Sequence, residues 1–102
     1  MTTRVEIRQQ VHDFISALAP GPRRKLWAGI KGLADGEGAV IQLEGKLAPF
    51  FRLRVGKIRV VFEEKSVSGE RRLICFFADH RATIYKSLEQ IIANDLLGEL
   101  LN

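Results

Sequence analysis

Cysteine, histidine and long apolar runs are scarce in this sequence, and their scarcity excludes several classes of protein. The 102 residues include one cysteine and two histidines. A lone Cys75 cannot form an intramolecular disulfide, and its place in an apolar run is typical of a buried, reduced thiol. One cysteine together with His12 and His80 gives no zinc-ligand spacing. We therefore expect no metal and no other cofactor.

Membrane-spanning and export segments are also missing from the pattern. No stretch approaches the roughly 20 apolar residues that a helix needs to cross a bilayer. Arg4, Glu6 and Arg8 interrupt the first ten residues, and no apolar signal region follows them. A hydrophobic content of 46% and a charged content of 27% are typical of a globular domain. We expect a cytoplasmic protein, without a membrane contact, in which residues 1–102 form a single domain.

The positive charge is concentrated in one segment. The chain has 16 lysines and arginines against 12 acidic residues, for a net charge of +4. Residues 44 to 59 alone account for this excess, with one anion, Glu44, and five cations: Lys46, Arg52, Arg54, Lys57 and Arg59. A focused basic patch favours a polyanionic partner, with nucleic acid the first candidate. The alternative is that these cations coat the solvent face of a hairpin.

Residues 51–62 have the pattern of a β-hairpin with Gly56 first in a two-residue turn. This register places three apolar pairs on one face, namely Val55 with Ile58, Leu53 with Val60, and Phe51 with Phe62. It places Arg54 directly opposite Arg59 on the other face, with Arg52 two positions along. Like charges that face each other destabilise a sheet. We interpret the arrangement as a site that holds an anion.

The remaining periodicity predicts a small α+β domain in the order β-α-α-β-β-β-α, with helices on one face of an antiparallel-rich sheet. The first two helices form an antiparallel hairpin packed on the sheet. The predicted elements are a strand at 2–7, a helix at 8–19, a helix from Pro22 to about 35, a connecting stretch at 36–49, the hairpin, a strand at 71–78, and a helix capped by Asp79. The leucine-rich stretch 96–101 is a short last helix or a patch for a partner.

Three sequence pieces resemble the RelE/ParE superfamily of toxins from bacterial toxin–antitoxin pairs. They are Leu43–Leu47 (LEGKL), Phe51–Phe62 (FRLRVGKIRVVF), and His80-Arg81 followed by Tyr85-Lys86. The resemblance implies a compact sheet with a two-helix hairpin packed on it. It also implies a cytoplasmic antitoxin that wraps and neutralises the toxin, with an oligomer formed through that antitoxin.

The superfamily has two branches that differ in activity. RelE-like members cut messenger RNA in the ribosomal decoding site without a metal, whereas ParE-like members poison DNA gyrase. The resemblance matches the basic and tyrosine positions of the RelE-like site to Arg52, Arg54, Arg59, Arg81 and Tyr85, and we favour that branch. Two positions depart from the pattern, since Phe50 and Arg52 stand where some nuclease members carry lysine. Arginine stays protonated and is a poor general base.

Metal-independent RNA cleavage needs a base for the ribose 2′-OH, cations for the pentavalent phosphorane and an acid for the leaving 5′ oxygen. The candidates for catalysis are Arg52, Arg59, Arg81, Tyr85 and His80, and the candidates for RNA binding are Lys46, Arg54 and Lys57. On a helix capped by Asp79, Arg81 and Tyr85 would share one side, next to free N–H groups that favour phosphate. Arg81 and Tyr85 could instead be a surface stacking pair, and His80 could be structural.

Three functions follow from this pattern. The first is a toxin that cuts messenger RNA on the ribosome, with a cognate antitoxin, messenger RNA and the ribosome as partners. The second is a ParE-like toxin that inhibits gyrase without catalysis. The third is a toxin-like fold that binds nucleic acid within an operator complex.

Overall fold

A computed structural model of the chain describes residues 2–93. Its order is β-α-α-β-β-β-β-α, which confirms the α+β class and adds one strand to the sequence-based order. The strands are β1 Thr3–Ile7, β2 Ala39–Gln42, β3 Phe50–Val55, β4 Ile58–Val67 and β5 Glu70–His80; the helices are α1 Gln9–Ser16, α2 Pro20–Gly32 and α3 Ile84–Ala93. Short 3-10 helices lie at Leu33–Asp35 and Gly45–Leu47.

The five strands form one sheet in the order β1-β5-β4-β3-β2. β1 runs parallel to β5, and the other pairs are antiparallel. The predicted hairpin register is confirmed, with Val55 opposite Ile58 and Arg54 opposite Arg59. Gly56 has a φ of 59°, a left-handed value that glycine adopts without strain at the first position of such a turn.

β2 corrects the prediction of a connecting stretch at 36–49. Its four residues pair with β3, Ala39 opposite Arg54 and Gln42 opposite Phe51. All four are exposed, because β2 is the edge strand and neither helix layer covers it. The sequence did not reveal this strand, because a short edge strand without a buried face lacks the alternation that marks strands.

The helices α1 and α2 cover one face of the sheet, as predicted. Their buried side chains join those of β3, β4 and β5 in one core that contains Val11, Ile15, Leu26, Ile30, Leu53, Val60, Phe62, Leu73 and Cys75. α2 begins at Pro20, two residues earlier than predicted, and this proline occupies the first turn. Arg23 donates to the carbonyl oxygens of Ser16 and Leu18, so this cation closes the connection between the two helices.

The third helix lies on the opposite face, and the prediction that all helices share one face is therefore wrong. Ile84 and Leu88 of α3 are fully buried, as predicted, in a second core with Leu43, Phe50, Val61 and Phe76. The register between β4 and β5 shifts between Val61 and Phe62, so that β5 has one extra residue there. This bulge lets Phe76 join the second core beside Phe50, at 4.9 Å between ring centroids.

Asp79 is not a helix cap. β5 continues to His80, which pairs with Ile58, and α3 begins only at Ile84 after a turn at 81–83. The carboxylate of Asp79 accepts hydrogen bonds from the backbone N–H of His80 and from the hydroxyl of Ser87. Pairing with β4 therefore outweighs the local capping signal.

Cys75 is a free, fully buried thiol, as predicted. Desolvation raises its pKa to about 12, so the thiolate is disfavoured.

The leucine-rich stretch 96–101 lies outside the described residues. Among residues 2–93, no helix combines the length and the apolar character that crossing a bilayer requires.

The contact between α2 and β3 gives a stability prediction. A Cβ atom built on Gly29 would lie 2.6 Å from Cγ2 of Val55, so the close approach of α2 to β3 at this point depends on the missing side chain of Gly29. We expect Gly29→Ala to lower the free energy of unfolding by about 1–2 kcal/mol, because overpacking outweighs the gain of about 1 kcal/mol in helix propensity. Urea denaturation measures this loss.

Gly21→Ala is the matched control, since Gly21 lies in the same helix with nothing within 4 Å of its added Cβ. This control is expected to leave stability unchanged or slightly raised. Val55→Ala in the Gly29→Ala background is expected to recover most of the loss that Gly29→Ala causes alone. Equal stability of the Gly29→Ala and Gly21→Ala variants would contradict the close contact.

Candidate functional site

Four arginines converge on the face of the sheet that α3 partly covers. Arg52 and Arg54 lie on β3 and Arg59 lies on β4, all on the same face because the hairpin register alternates sides. Arg81 comes from the turn after β5, and its backbone N–H donates to the carbonyl oxygen of Lys57 at the hairpin tip, at 2.8 Å. This bond brings the two loops together. We call Arg52, Arg54, Arg59 and Arg81 the arginine cluster.

The charges of the cluster repel one another. The pKa of Arg59 is lowered by desolvation and by the positive charges of Arg52, Arg54 and Arg81. Other arginines of the sheet are compensated; the guanidinium of Arg71 contacts the carboxylate of Glu64 at 2.6 Å, which raises the pKa of Arg71. A bound anion would relieve the repulsion within the cluster.

No arginine of the cluster forms an ion pair with a carboxylate from residues 2–93. Asp79 lies directly opposite Arg59 in the register of β4 and β5, but its two oxygens accept from His80 and Ser87 instead. The nearest acidic neighbour in the sheet therefore fastens β5 to α3 and leaves the guanidinium groups available. The residue type of Asp79 favours a helix cap, but the pairing of β5 with β4 places it opposite Arg59 in a strand.

Tyr85 joins the cluster through a hydrogen bond. Nη1 of Arg52 donates to the phenolic oxygen of Tyr85 at 2.8 Å, and Tyr85 remains 41% exposed. Nη1 of Arg59 donates to the carbonyl oxygens of Gly56 and Ile58, at 2.8 and 3.0 Å. These bonds hold two guanidinium groups and the phenol in place before any ligand binds.

Arg81 and Tyr85 both lie at the site, but they do not share one side of a helix as the sequence pattern predicts. Arg81 lies before α3, so the two residues do not share a helix face. The backbone hydrogen bond from Arg81 to Lys57 positions Arg81. The hydrogen bond from Arg52 to the phenolic oxygen positions Tyr85. The expected juxtaposition with Arg59 is present nonetheless, since Arg81 and Tyr85 both act electrostatically on its guanidinium.

His80 is not brought to the arginine cluster. It pairs with Ile58, whose side chain belongs to the core under α1 and α2, and its ring packs on Phe14 at 5.3 Å between centroids. His80 lines a cavity of about 400 Å³ on that side, with Lys57 at the same cavity. The sheet therefore separates His80 from the four arginines.

The predicted RNA-binding residues lie at three different places. Arg54 is exposed within the cluster, and Lys57 is exposed at the hairpin tip. Lys46 is exposed in the short helix Gly45–Leu47, and its neighbour Leu47 lines a surface groove of about 290 Å³ together with Tyr85. The walls of this groove come from β2, the following loop and α3, which lie far apart in the sequence, so no local sequence pattern indicates the groove.

Phe50 stands at one position that departs from the nuclease pattern, and its burial shows why the residue is apolar. It lies on the same face as Arg52, two residues away, but it is fully buried against Phe76 under α3.

No group of three or more histidine, cysteine, aspartate or glutamate side chains comes within metal-binding reach in the described part of the chain.

Comparison with solved structures identifies the fold. The chain has the RelE/ParE-type toxin fold. It superimposes on the archaeal RelE–RelB complex from Pyrococcus horikoshii with a TM-score of 0.58 and 24% identity, covering 79% of this chain and 97% of the other. It superimposes on the toxin–antitoxin complex RelBE2 from Mycobacterium tuberculosis with a TM-score of 0.62 and 18% identity, covering 79% of this chain and 100% of the other. It superimposes on the YoeB/ParE toxin from Agrobacterium tumefaciens with a TM-score of 0.61 and 16% identity, covering 76% of this chain and 97% of the other. No protein-family model and no curated protein sequence matches the chain.

Repulsion within the cluster leads to a stability prediction for Arg54. Because Arg54 faces Arg59 directly, Arg54→Gln is expected to raise the free energy of unfolding by about 0.2–1 kcal/mol at low ionic strength. The gain is expected to shrink in about 1 M salt, where the Debye length falls to about 3 Å. Thermal unfolding at both salt concentrations measures it.

Arg24→Gln is the control, because it removes the same charge from the exposed surface of α2, away from the cluster. A gain for Arg54→Gln no larger than that for Arg24→Gln, or one that salt does not reduce, would show that the arginines do not repel one another.

Proposed function

We propose that this protein is the toxin of a toxin–antitoxin pair and cleaves messenger RNA on the translating ribosome. The observation that carries the proposal is the arginine cluster, which lacks a carboxylate partner among the described residues and holds Tyr85 at its edge. Four exposed or half-exposed guanidinium groups around one point bind a phosphodiester and, more tightly, the pentavalent phosphorane that forms during cleavage.

The two hydrogen bonds from Arg59 to the hairpin turn support a role in transition-state stabilisation. A guanidinium held by carbonyl oxygens needs no reorganisation when charge develops on the phosphate. Arg54 and Arg81 stand beside it and supply further forked donors for the nonbridging oxygens. We assign Arg59 and Arg81 to the phosphorane, and Arg54 to binding of the RNA backbone.

Tyr85 is the group at the cluster that can exchange a proton or stack on a base. Its phenolic oxygen accepts a hydrogen bond from Arg52, and this cation stabilises negative charge on that oxygen during proton transfer. His80 has no part in the proposed mechanism, because it lies on the other side of the sheet. The proton chemistry is therefore assigned to Tyr85 and to groups that the ribosome supplies.

A cognate antitoxin is the partner that the fold and the charge favour together. The structures from Pyrococcus horikoshii and Mycobacterium tuberculosis are complexes with antitoxins. We propose that an antitoxin segment with carboxylates covers the arginine cluster and so neutralises both its charge and its activity.

One observation favours a second function, inhibition of gyrase without catalysis. Phe50 is buried in the core, and Arg52 stands at the other position where some nuclease members carry lysine, so the cluster lacks a cation that readily gives up its proton. A basic surface without a general base would bind a partner and not cut RNA.

Transcript-end mapping after induction in bacterial cells tests the nuclease proposal. The wild-type protein is expected to produce new RNA ends inside translated codons. Arg59→Ala and Arg81→Ala are each expected to reduce these ends by about 100-fold or more, because each removes a charge that stabilises the phosphorane. Thermal unfolding of each variant shows that the fold is intact.

Arg24→Ala, on the exposed surface of α2, is the matched control and is expected to cut like the wild type. Full growth arrest with intact transcripts would contradict the nuclease proposal. If the same cells also lost DNA supercoiling, the gyrase function would be supported instead.

A further inference from the structure

A cavity of about 400 Å³ lies behind the hairpin, on the face of the sheet that α1 and α2 cover. Its apolar walls come from the connection between the two helices, the first turn of α2 and the hairpin, namely Leu18, Pro22, Val55 and Ile58. Small-molecule sites have volumes of roughly 300–1,000 Å³ and combine apolar walls with a few polar groups. The cavity therefore has the size and the lining of a ligand site, and the proposed cleavage of RNA does not use it.

The polar side chains of the cavity carry no negative charge. Lys25 of α2 and Lys57 of the hairpin tip line the cavity and are exposed, and His80 adds an imidazole ring. Within residues 2–93, neither lysine forms an ion pair and no carboxylate lines the cavity. The dipole of α2, whose first turn lies here, also favours negative charge. The charges therefore favour an anionic ligand.

An apolar group that carries one carboxylate matches both parts of the cavity. A small inorganic anion would leave the apolar walls without a partner, and a neutral apolar molecule would leave both lysines unpaired. At about 30 Å³ for each water-sized group, a volume of about 400 Å³ accommodates roughly ten to thirteen non-hydrogen atoms. The ligand class is therefore a small amphipathic carboxylate.

The hairpin tip joins this cavity to the arginine cluster. Gly56, Lys57 and Ile58 all line the cavity. The carbonyl oxygens of Gly56 and Ile58 accept from Nη1 of Arg59, at 2.8 and 3.0 Å. The carbonyl oxygen of Lys57 accepts from the backbone N–H of Arg81, at 2.8 Å. A ligand that packs on these three residues therefore acts on the same backbone that positions Arg59 and Arg81.

We propose that the cavity binds a small amphipathic carboxylate, and that the hairpin tip transmits this binding to the arginine cluster. The carboxylate pairs with Lys25 and Lys57, and the apolar group packs on Val55 and Ile58. Binding of the ligand does not rest on the proposed function, whereas its effect on RNA cleavage does. Coupling between two sites is reciprocal, so a phosphate in the cluster changes the affinity for the carboxylate by the same factor.

Nuclear magnetic resonance titration with octanoate, which is of this size, tests the inference. We expect octanoate to bind about five-fold or more tightly than octan-1-ol or octylamine, because only octanoate carries the charge that the lysines attract. The methyl resonances of Val55 and Ile58 are expected to shift. The backbone amide of Arg81 is expected to shift with them, since it reports the hydrogen bond to Lys57.

Variants of the lysines test the charge pairing. Lys25→Gln is expected to weaken the preference for octanoate over octan-1-ol, and Lys25→Gln together with Lys57→Gln is expected to abolish it. Lys31→Gln is the matched control, because Lys31 is exposed on the same helix but does not line the cavity. It is expected to retain the preference. Thermal unfolding of each variant separates loss of binding from loss of the fold.

A second titration, with inorganic phosphate at low ionic strength, tests the coupling. Bound octanoate is expected to lower the affinity of the cluster for phosphate by about two- to five-fold, because it adds a negative charge behind the turn that holds Arg59. An Arg81 amide that does not shift while octanoate saturates the cavity would overturn the transmission, as would an unchanged affinity for phosphate.

Three results would overturn the ligand site itself. They are the absence of saturable octanoate binding, equal affinities for octanoate and octan-1-ol, and a preference that survives the double lysine substitution. If the resonances of Val55 and Ile58 shifted with protein concentration alone, the cavity would belong to a second copy of the chain and the inference would be wrong. Octanoate binding without any RNA cutting would support the ligand site and remove the nuclease proposal, whereas RNA cutting without octanoate binding would do the reverse.

Discussion

Repulsion among neighbouring guanidinium groups is the constraint around which this structure is organised. Arg54 and Arg59 face each other across a hairpin, with Arg52 and Arg81 close by, and the described residues offer them no carboxylate. Such an arrangement opposes folding, so the rest of the hairpin must hold it together. Leu53 and Val60 supply that force, because both are buried on the reverse face under α1 and α2.

The two faces of the sheet have separate tasks. One face packs against the helical hairpin and contains most of the buried apolar side chains. The other is divided between a small core under α3 and the arginine cluster. The bulge near Val61 adds Phe76 to that smaller core, and α3, which rests on it, carries Tyr85 to the edge of the cluster. A packing irregularity in the sheet thus supports the position of a functional side chain.

The predictable parts of the fold and of the site were those that depend on neighbours in the sequence. Alternation around Gly56 predicts the hairpin register, and with it the meeting of Arg54 and Arg59, because side chains in a strand alternate strictly. The positions of Arg81 and His80 depend on the pairing of β5 with β4. Local sequence patterns cannot predict that pairing, because its partners lie far apart in the sequence. Asp79 shows the conflict directly, since its residue type favours a helix cap while the sheet keeps it in a strand. β2 was missed because it has no buried face.

The bond between the N–H of Arg81 and the carbonyl oxygen of Lys57 bears on how the site is made during synthesis. Its two partners lie in different turns, and the whole of β5 must pair with β4 before they can meet. A nascent chain that has emerged only as far as the hairpin carries three of the arginines but neither Arg81 nor Tyr85. The order of translation itself therefore delays completion of the centre until nearly all of the described chain has left the ribosome.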